Sequence, residues 1–76
     1  MNDKLIVYER LQEIVPLKML DELSVDEVKS DCITAFEIIG YKSRDLDKVI
    51  ETTWERSDAL SLNDFIYDVW EVDNYG

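Results

Sequence analysis

Val25, Val28, Cys32, Ala35, Phe36 and Ile39 recur three and four residues apart, the spacing that gathers side chains on one face of an α-helix. Ahead of them, Ser24-Val25-Asp26-Glu27 has the form of a capping box. The Ser24 hydroxyl can accept from the Glu27 amide while the Glu27 carboxylate reaches back to the Ser24 amide. Asp26 and Glu27 also suit the positive end of the helix dipole, and Gly40 stands where a left-handed C-cap is wanted. The pattern predicts a helix over about 25–39. Ile33 and Ile38 lie off this stripe, which predicts a second covered face, with the N-terminal helices as the cover.

The same spacing appears on both sides. Val7, Leu11, Ile14 and Val15 predict a helix from about Asp3 to Ile14, capped by Asn2 or Asp3. Leu5 to Tyr8 is β-prone, so a short strand there is an equal reading of those four residues. Pro16 disfavours α geometry at Val15 and suits the first turn of a new helix. A short helix from Pro16 to Leu23, presenting Leu17, Leu20 and Leu23, is therefore expected. Beyond Gly40, Ser43 is a candidate cap for a helix with Leu46, Val49, Ile50 and Trp54 on its apolar stripe. A loop from Glu55 to Leu60 follows. Ser61-Leu62-Asn63-Asp64 resembles a second capping box, with Asp64 in the Glu position. Leu62, Phe65, Ile66, Val69 and Trp70 then make a strongly amphipathic helix. The tail, residues 73–76, should fray.

The expected fold is thus all-α, a small bundle of four or five short helices. It divides into N-terminal helices over 1–23, a three-helix core over 25–72 and the tail. Two glycines and one proline leave few sites for the tight turns of hairpin sheets. At 76 residues the chain is one domain at most, of a size whose single core supplies only about 3–5 kcal/mol. Its apolar content of 46% is too high for a disordered acidic tail. Cys32, the lone cysteine, has no internal disulfide partner and reads as a small buried helix residue. With no signal-like N-terminus and no apolar run near the ~20 residues of a membrane span, a cytoplasmic protein is expected.

The run Cys32-Ile33-Thr34-Ala35-Phe36-Glu37-Ile38-Ile39-Gly40-Tyr41-Lys42-Ser43, with Asp45-Leu46-Asp47-Lys48-Val49-Ile50 after it, has a recognisable layout. A helix ends in an apolar-Gly-Tyr loop, a second helix starts two or three residues on, and a third follows a short polar loop, here Ser57-Asp58-Ala59-Leu60-Ser61. Over about Val25 to Trp70 this resembles the C-terminal three-helix domain of the Holliday-junction protein RuvA, a relative of ubiquitin-associated (UBA) domains. The resemblance implies a protein-binding module without catalysis, with Gly40 and Tyr41 as the loop pair and Leu46, Val49, Ile50, Phe65 and Ile66 in the core. The chain departs from that pattern in its helical prefix and in a last helix that is far more acidic and aromatic.

Charge narrows the function. Eighteen acidic residues against eight basic ones give −10, and from Trp54 to Gly76 six carboxylates face a single base, Arg56. Such a field repels phosphate backbones and anionic lipid, so the expected partner is a protein with a basic surface, with no direct nucleic acid and no membrane. Enzyme chemistry has little to work with. Histidine is absent, one thiol exists, and neither glycine has another near it to cradle a phosphate. The acidic pairs Asp45 and Asp47, Glu9 and Glu13, and Asp64 and Asp68 form no Asp-x-Asp-x-Asp-Gly run, and calcium wants six to eight oxygens from a shaped loop. They read as solvated helix faces, so no cofactor and no metal are expected.

The last helix stands apart in degree. Asp64, Asp68 and Glu71 fall at i, i+4 and i+7 opposite Phe65, Ile66 and Val69. Asp64 and Asp68 are about 6 Å apart along the axis, of the order of neighbouring phosphates on a nucleic-acid strand. The ladder can therefore act as a phosphate mimic in the Lys/Arg channel of a nucleic-acid enzyme or regulator, or serve only as a solubilising coat. Asp64, Asp68, Glu71 and Asp73 are the candidate charge donors. Tyr67, Trp70 and Trp54 are the candidate anchors, since Trp and Tyr dominate interface hot spots; each tryptophan also suits the core, and Tyr41 and Tyr75 are expected to be exposed. The leading expectation is a non-enzymatic regulator or inhibitor, of the kind a phage uses against host nucleic-acid machinery. Its rivals are a UBA-like adaptor gripping through Tyr41 and a homodimer that buries its aromatic faces.

Overall fold

A computed structural model describes residues 3–76. The order is α1 (Asp3–Ile14), a single 3-10 turn (Leu20–Glu22), α2 (Val25–Ile39), α3 (Leu46–Arg56) and α4 (Leu62–Tyr75). The protein is all-α, a small helical bundle. Asn2 lies outside the described residues; Asp3 is the first residue of α1, and Leu5 to Tyr8 are helical.

The signals at the ends of α2 act as their chemistry requires. The Ser24 side chain accepts from the Glu27 amide at 3.2 Å and the Glu27 carboxylate accepts from the Ser24 amide at 3.1 Å. Those hydrogen bonds to Ser24 hold the Glu27 carboxyl below its usual pKa. At the other end Gly40 is left-handed at φ 73°, and its amide reaches back to the Phe36 and Glu37 carbonyls.

α4 organises the packing. Leu62, Phe65, Ile66, Val69 and Trp70 are all buried, and α4 packs most extensively against α3 and α1. Around its apolar face gather Leu11 and Val15 from α1 and its end, Val28, Cys32, Ala35 and Phe36 from α2, and Ile50 from α3. Fully burying a side chain of this class contributes about 1.5–3 kcal/mol. Burial also pushes the Cys32 thiol up to about 12, so it serves as core filling.

Five expectations are corrected here. Residues 16–23 do not form a helix beyond the 3-10 turn: Met19 is extended and bridges Ser61, with Leu20 N donating to Leu60 O at 2.9 Å and Leu62 N to Lys18 O at 2.8 Å. Those two bonds satisfy backbone groups that helix would otherwise have to satisfy, and Leu17 is left 79% exposed. Ile33 and Ile38 are exposed, because the end of α1 reaches only the border of the second face, where Ile38 shares a cleft with Ile14, Val15 and Pro16. The cap of α3 is Asp45, whose carboxylate accepts from the Lys48 amide, and the Ser43 hydroxyl is buried without a hydrogen-bond partner. Ser61 caps α4, but Asp64 makes no return bond to it; its carboxylate accepts instead from Gln12 on α1 at 3.4 Å. Finally, residues 73–75 continue α4 in helical form.

Replacing Gly40 by alanine isolates the cost of the left-handed cap. A Cβ there would meet nothing within 4 Å, so the penalty is conformational, about 1 kcal/mol. The expected readout is a melting temperature lower by roughly 4–8 °C, and an unchanged melting curve would contradict the cap's role.

Candidate functional site

The last turns of α4 are tied down by side chains from across the bundle. The Tyr41 hydroxyl donates to the Asp73 carboxylate and accepts from Asn74 Nδ2 at 3.0 Å. Asn74 Nδ2 also donates to the Trp70 carbonyl at 2.7 Å. Tyr41 packs edge-on against Phe36, ring centroids 5.0 Å apart. It is thus half-buried, against the expectation of exposure, and burial followed by the bond to Asp73 pushes its hydroxyl up to about 12. Tyr75 is exposed, with the Lys4 ammonium 4.5 Å from its ring centroid and Trp70 at 5.7 Å.

Each member of the acidic ladder has a neighbour in the structure. Asp64 is exposed and takes the Gln12 amide, whose oxygen accepts in turn from buried Asn63. Asp68 is half-buried and accepts from the Ser57 hydroxyl at 2.5 Å. Glu71 accepts from Tyr67 and pairs with Lys4, both at 3.4 Å. Tyr67 itself lies between Tyr8 and Trp70, centroids 5.3 and 5.9 Å away. Its hydroxyl pKa is raised by burial and then by Glu71.

Electrostatically the centre of the ladder is Asp68. Burial raises its pKa first, the Ser57 hydrogen bond opposes this, and the charges of Glu71, Asp64 and Asp58 raise it further. Asp58, Asp68 and Glu71 line one open cleft of about 210 Å³ together with Arg56 and Ser57. Lys4 with Glu71 and Arg10 with Glu13 are the ion pairs among the described residues. The cluster therefore presents surplus negative potential beside one arginine. Asp58 and Ser57 were not singled out in the sequence, where they read as loop residues; their closeness to Asp68 depends on how α3 lies against α4.

The two tryptophans part company. Trp70 is 6% exposed and belongs to the core, whereas Trp54 is 43% exposed and touches the core through Phe65 alone among the aromatic residues. A larger cleft, about 550 Å³, lies elsewhere, between α1 and the Gly40-Tyr41 loop, with Ile6, Ile39 and Trp70 among its walls. Its rim carries the internally paired Arg10 and Glu13.

Comparison with protein-family models, with curated proteins and with solved structures finds no match to this chain. No described helix is long and apolar enough to cross a membrane. Among the described residues no group of three or more His, Cys, Asp or Glu is placed to hold a metal ion.

Two measurements check this geometry. Tyr41→Phe removes the hydroxyl shared by Asp73 and Asn74. It should cost about 1 kcal/mol and speed hydrogen exchange in the last turn of α4; unaltered exchange there would show that the tie does not hold the helix end. Asp68 has the opposite sign. With its folded pKa above the unfolded one, the native state takes up the proton first, so stability lost to the charged form at neutral pH is regained as pH falls through the folded value. Asp68→Asn should be at least as stable as the parent in urea at neutral pH, and the parent should gain on it upon acidification. A gap that ignores pH would contradict the assignment.

Proposed function

We propose that this chain is a small, acidic, non-enzymatic regulator that binds a basic surface of a partner protein, with Asp58, Asp64, Asp68 and Glu71 as the receiving cluster. The observation that carries this reading is the crowding of carboxylates around Asp68, which shares one cleft with Asp58 and Glu71 and lies one helical turn from Asp64. Arg56 in the cleft wall and Lys4 on Glu71 leave the cluster with more carboxylates than cations. A partner's lysine or arginine would relieve the repulsion and make charge-assisted hydrogen bonds to the carboxylate oxygens. The internal partners of these carboxylates fix their positions without neutralising most of them, since an oxygen that accepts one hydrogen bond keeps capacity for more.

A finer form of the reading is phosphate mimicry. Asp64 and Asp68 sit one helical turn apart, about 6 Å along the axis, and such a ladder would compete for a Lys/Arg channel built for nucleic acid, as a phage-type antagonist of a cytoplasmic nucleic-acid enzyme would. The adaptor reading through Gly40 and Tyr41 draws less support, because the Tyr41 hydroxyl and ring are both engaged within the fold. A homodimer through aromatic faces draws less support, because Trp70 is buried in the core and Tyr67 packs between Tyr8 and Trp70 within the fold.

The test separates located charge from total charge. Binding of a short Lys/Arg-rich peptide is measured by calorimetry for the parent, for Asp58→Asn/Asp64→Asn/Asp68→Asn, and for Glu22→Gln/Glu37→Gln/Asp47→Asn, which has the same net charge but alters exposed acids elsewhere. Affinity should fall at least about tenfold between about 50 and 300 mM salt, and equally in the first variant but not in the second. Equal behaviour of the two variants would reduce the acids to a coat that keeps the protein dispersed.

A further inference from the structure

Trp54 is the tryptophan that the fold leaves partly uncovered while still holding it in place. Its ring stands edge-on to Phe65, centroids 5.4 Å apart and planes at 74°, and Phe65 is 1% exposed. One side of the indole is thus anchored to the core and the other is bare. It borders two open clefts, which share Trp54 as a wall. The first, about 260 Å³, has Val25 and Ile50 as its apolar surface and Glu51 and Glu55 at its edge. The second, about 250 Å³, has Leu20, Ala59 and Phe65, with Asp21 at its edge. Lys29 is the one base among their walls, and it lines the first cleft only. Ser57 walls both the second cleft and the acidic cleft of Asp58, Asp68 and Glu71, so an apolar ridge and an anionic hollow adjoin on one surface.

We propose that Trp54 and its two flanking clefts form the apolar half of a docking surface for a partner segment that carries aliphatic side chains among lysines or arginines. The proposal rests on the acidic-regulator reading above and adds to it where the partner's apolar residues go. Aliphatic side chains enter the clefts on either side of the indole, and the basic ones reach Asp21, Glu51 and Glu55 at the edges and the Asp58-Asp68 hollow beyond Ser57. Rigid exposed tryptophan flanked by clefts is the form of an interface anchor. Charge selects the occupant: the edge acids favour a cationic segment, while a second copy of this chain related by two-fold symmetry would oppose the same acids to themselves. The larger cleft near Tyr41 lacks this selectivity, because its arginine and one of its glutamates already pair.

Two synthetic amphipathic peptides serve as probes, one of leucine and arginine and one in which every leucine is serine. The parent should bind the leucine peptide at least about tenfold more tightly. Trp54→Ala should remove that advantage and leave the serine peptide's affinity unchanged. Val25→Asn, at an exposed position in the first turn of α2, should reduce the advantage without touching the core, and it decides the matter if Trp54→Ala fails to fold by circular dichroism. Equal affinity of the parent for both peptides, or an advantage that survives both substitutions, would overturn the proposal. Failure of the acidic-cluster reading looks different: the Asp58→Asn/Asp64→Asn/Asp68→Asn protein would then hold the serine peptide as tightly as the parent does, while the leucine preference and its dependence on Trp54 would persist.

Discussion

The apolar face of α4 is the constraint from which the rest of the molecule follows. Leu62, Phe65, Ile66, Val69 and Trp70 are covered from both sides, by α3 and α1, and no other helix contributes as many buried residues. A chain of 76 residues has little core to spare, so the helix that fills the centre cannot also offer its apolar side to a partner. What α4 can offer is its other side, and that side is acidic. Asp64, Asp68 and Glu71 are where they are because the residues between them must face inward.

Packing then turns a sequence of like charges into a designed-looking electrostatic site. Placing α3 against α4 brings Asp58 and Ser57 to Asp68, half-burying a carboxylate among three others. In a soluble helix alone, carboxylates one turn apart repel by only a few tenths of a kcal/mol. Partial burial strengthens that repulsion by withdrawing solvent. The same packing leaves Trp54 pinned on Phe65 with its outer face bare. Anionic hollow and aromatic ridge are therefore two products of one helix pair.

Small polar ties hold the helix ends against this strain. Tyr41 reaches from the α2-α3 loop to Asp73 and Asn74, Ser57 reaches Asp68, and Gln12 joins α1 to Asn63 and Asp64. Each uses an acid or amide of α4 as its partner, so the acidity of that helix has a structural share. The extended pairing of residues 18–20 with 60–62 does for the long connection what the side chains do for the helices.

Local sequence determined the helices, because capping and 3.6-residue periodicity act within one turn: Ser24 with Glu27, Gly40, Ser61 and the stripes of α2 and α4 could be read from neighbours alone. It also determined the burial of Cys32 and of α4's apolar face, and the sign of the protein's field. Contacts between residues far apart in the chain decided the remainder. Met19 is extended because Ser61 lies beside it, the end of α4 stays wound because Tyr41 meets Asp73, and Ile33 and Ile38 are exposed because no element packs over them. Trp54 and Trp70 each sit on the apolar stripe of an amphipathic helix, yet only one is enclosed. Periodicity tells which side of a helix is apolar, and the number of neighbours available to cover that side is a property of the assembled bundle.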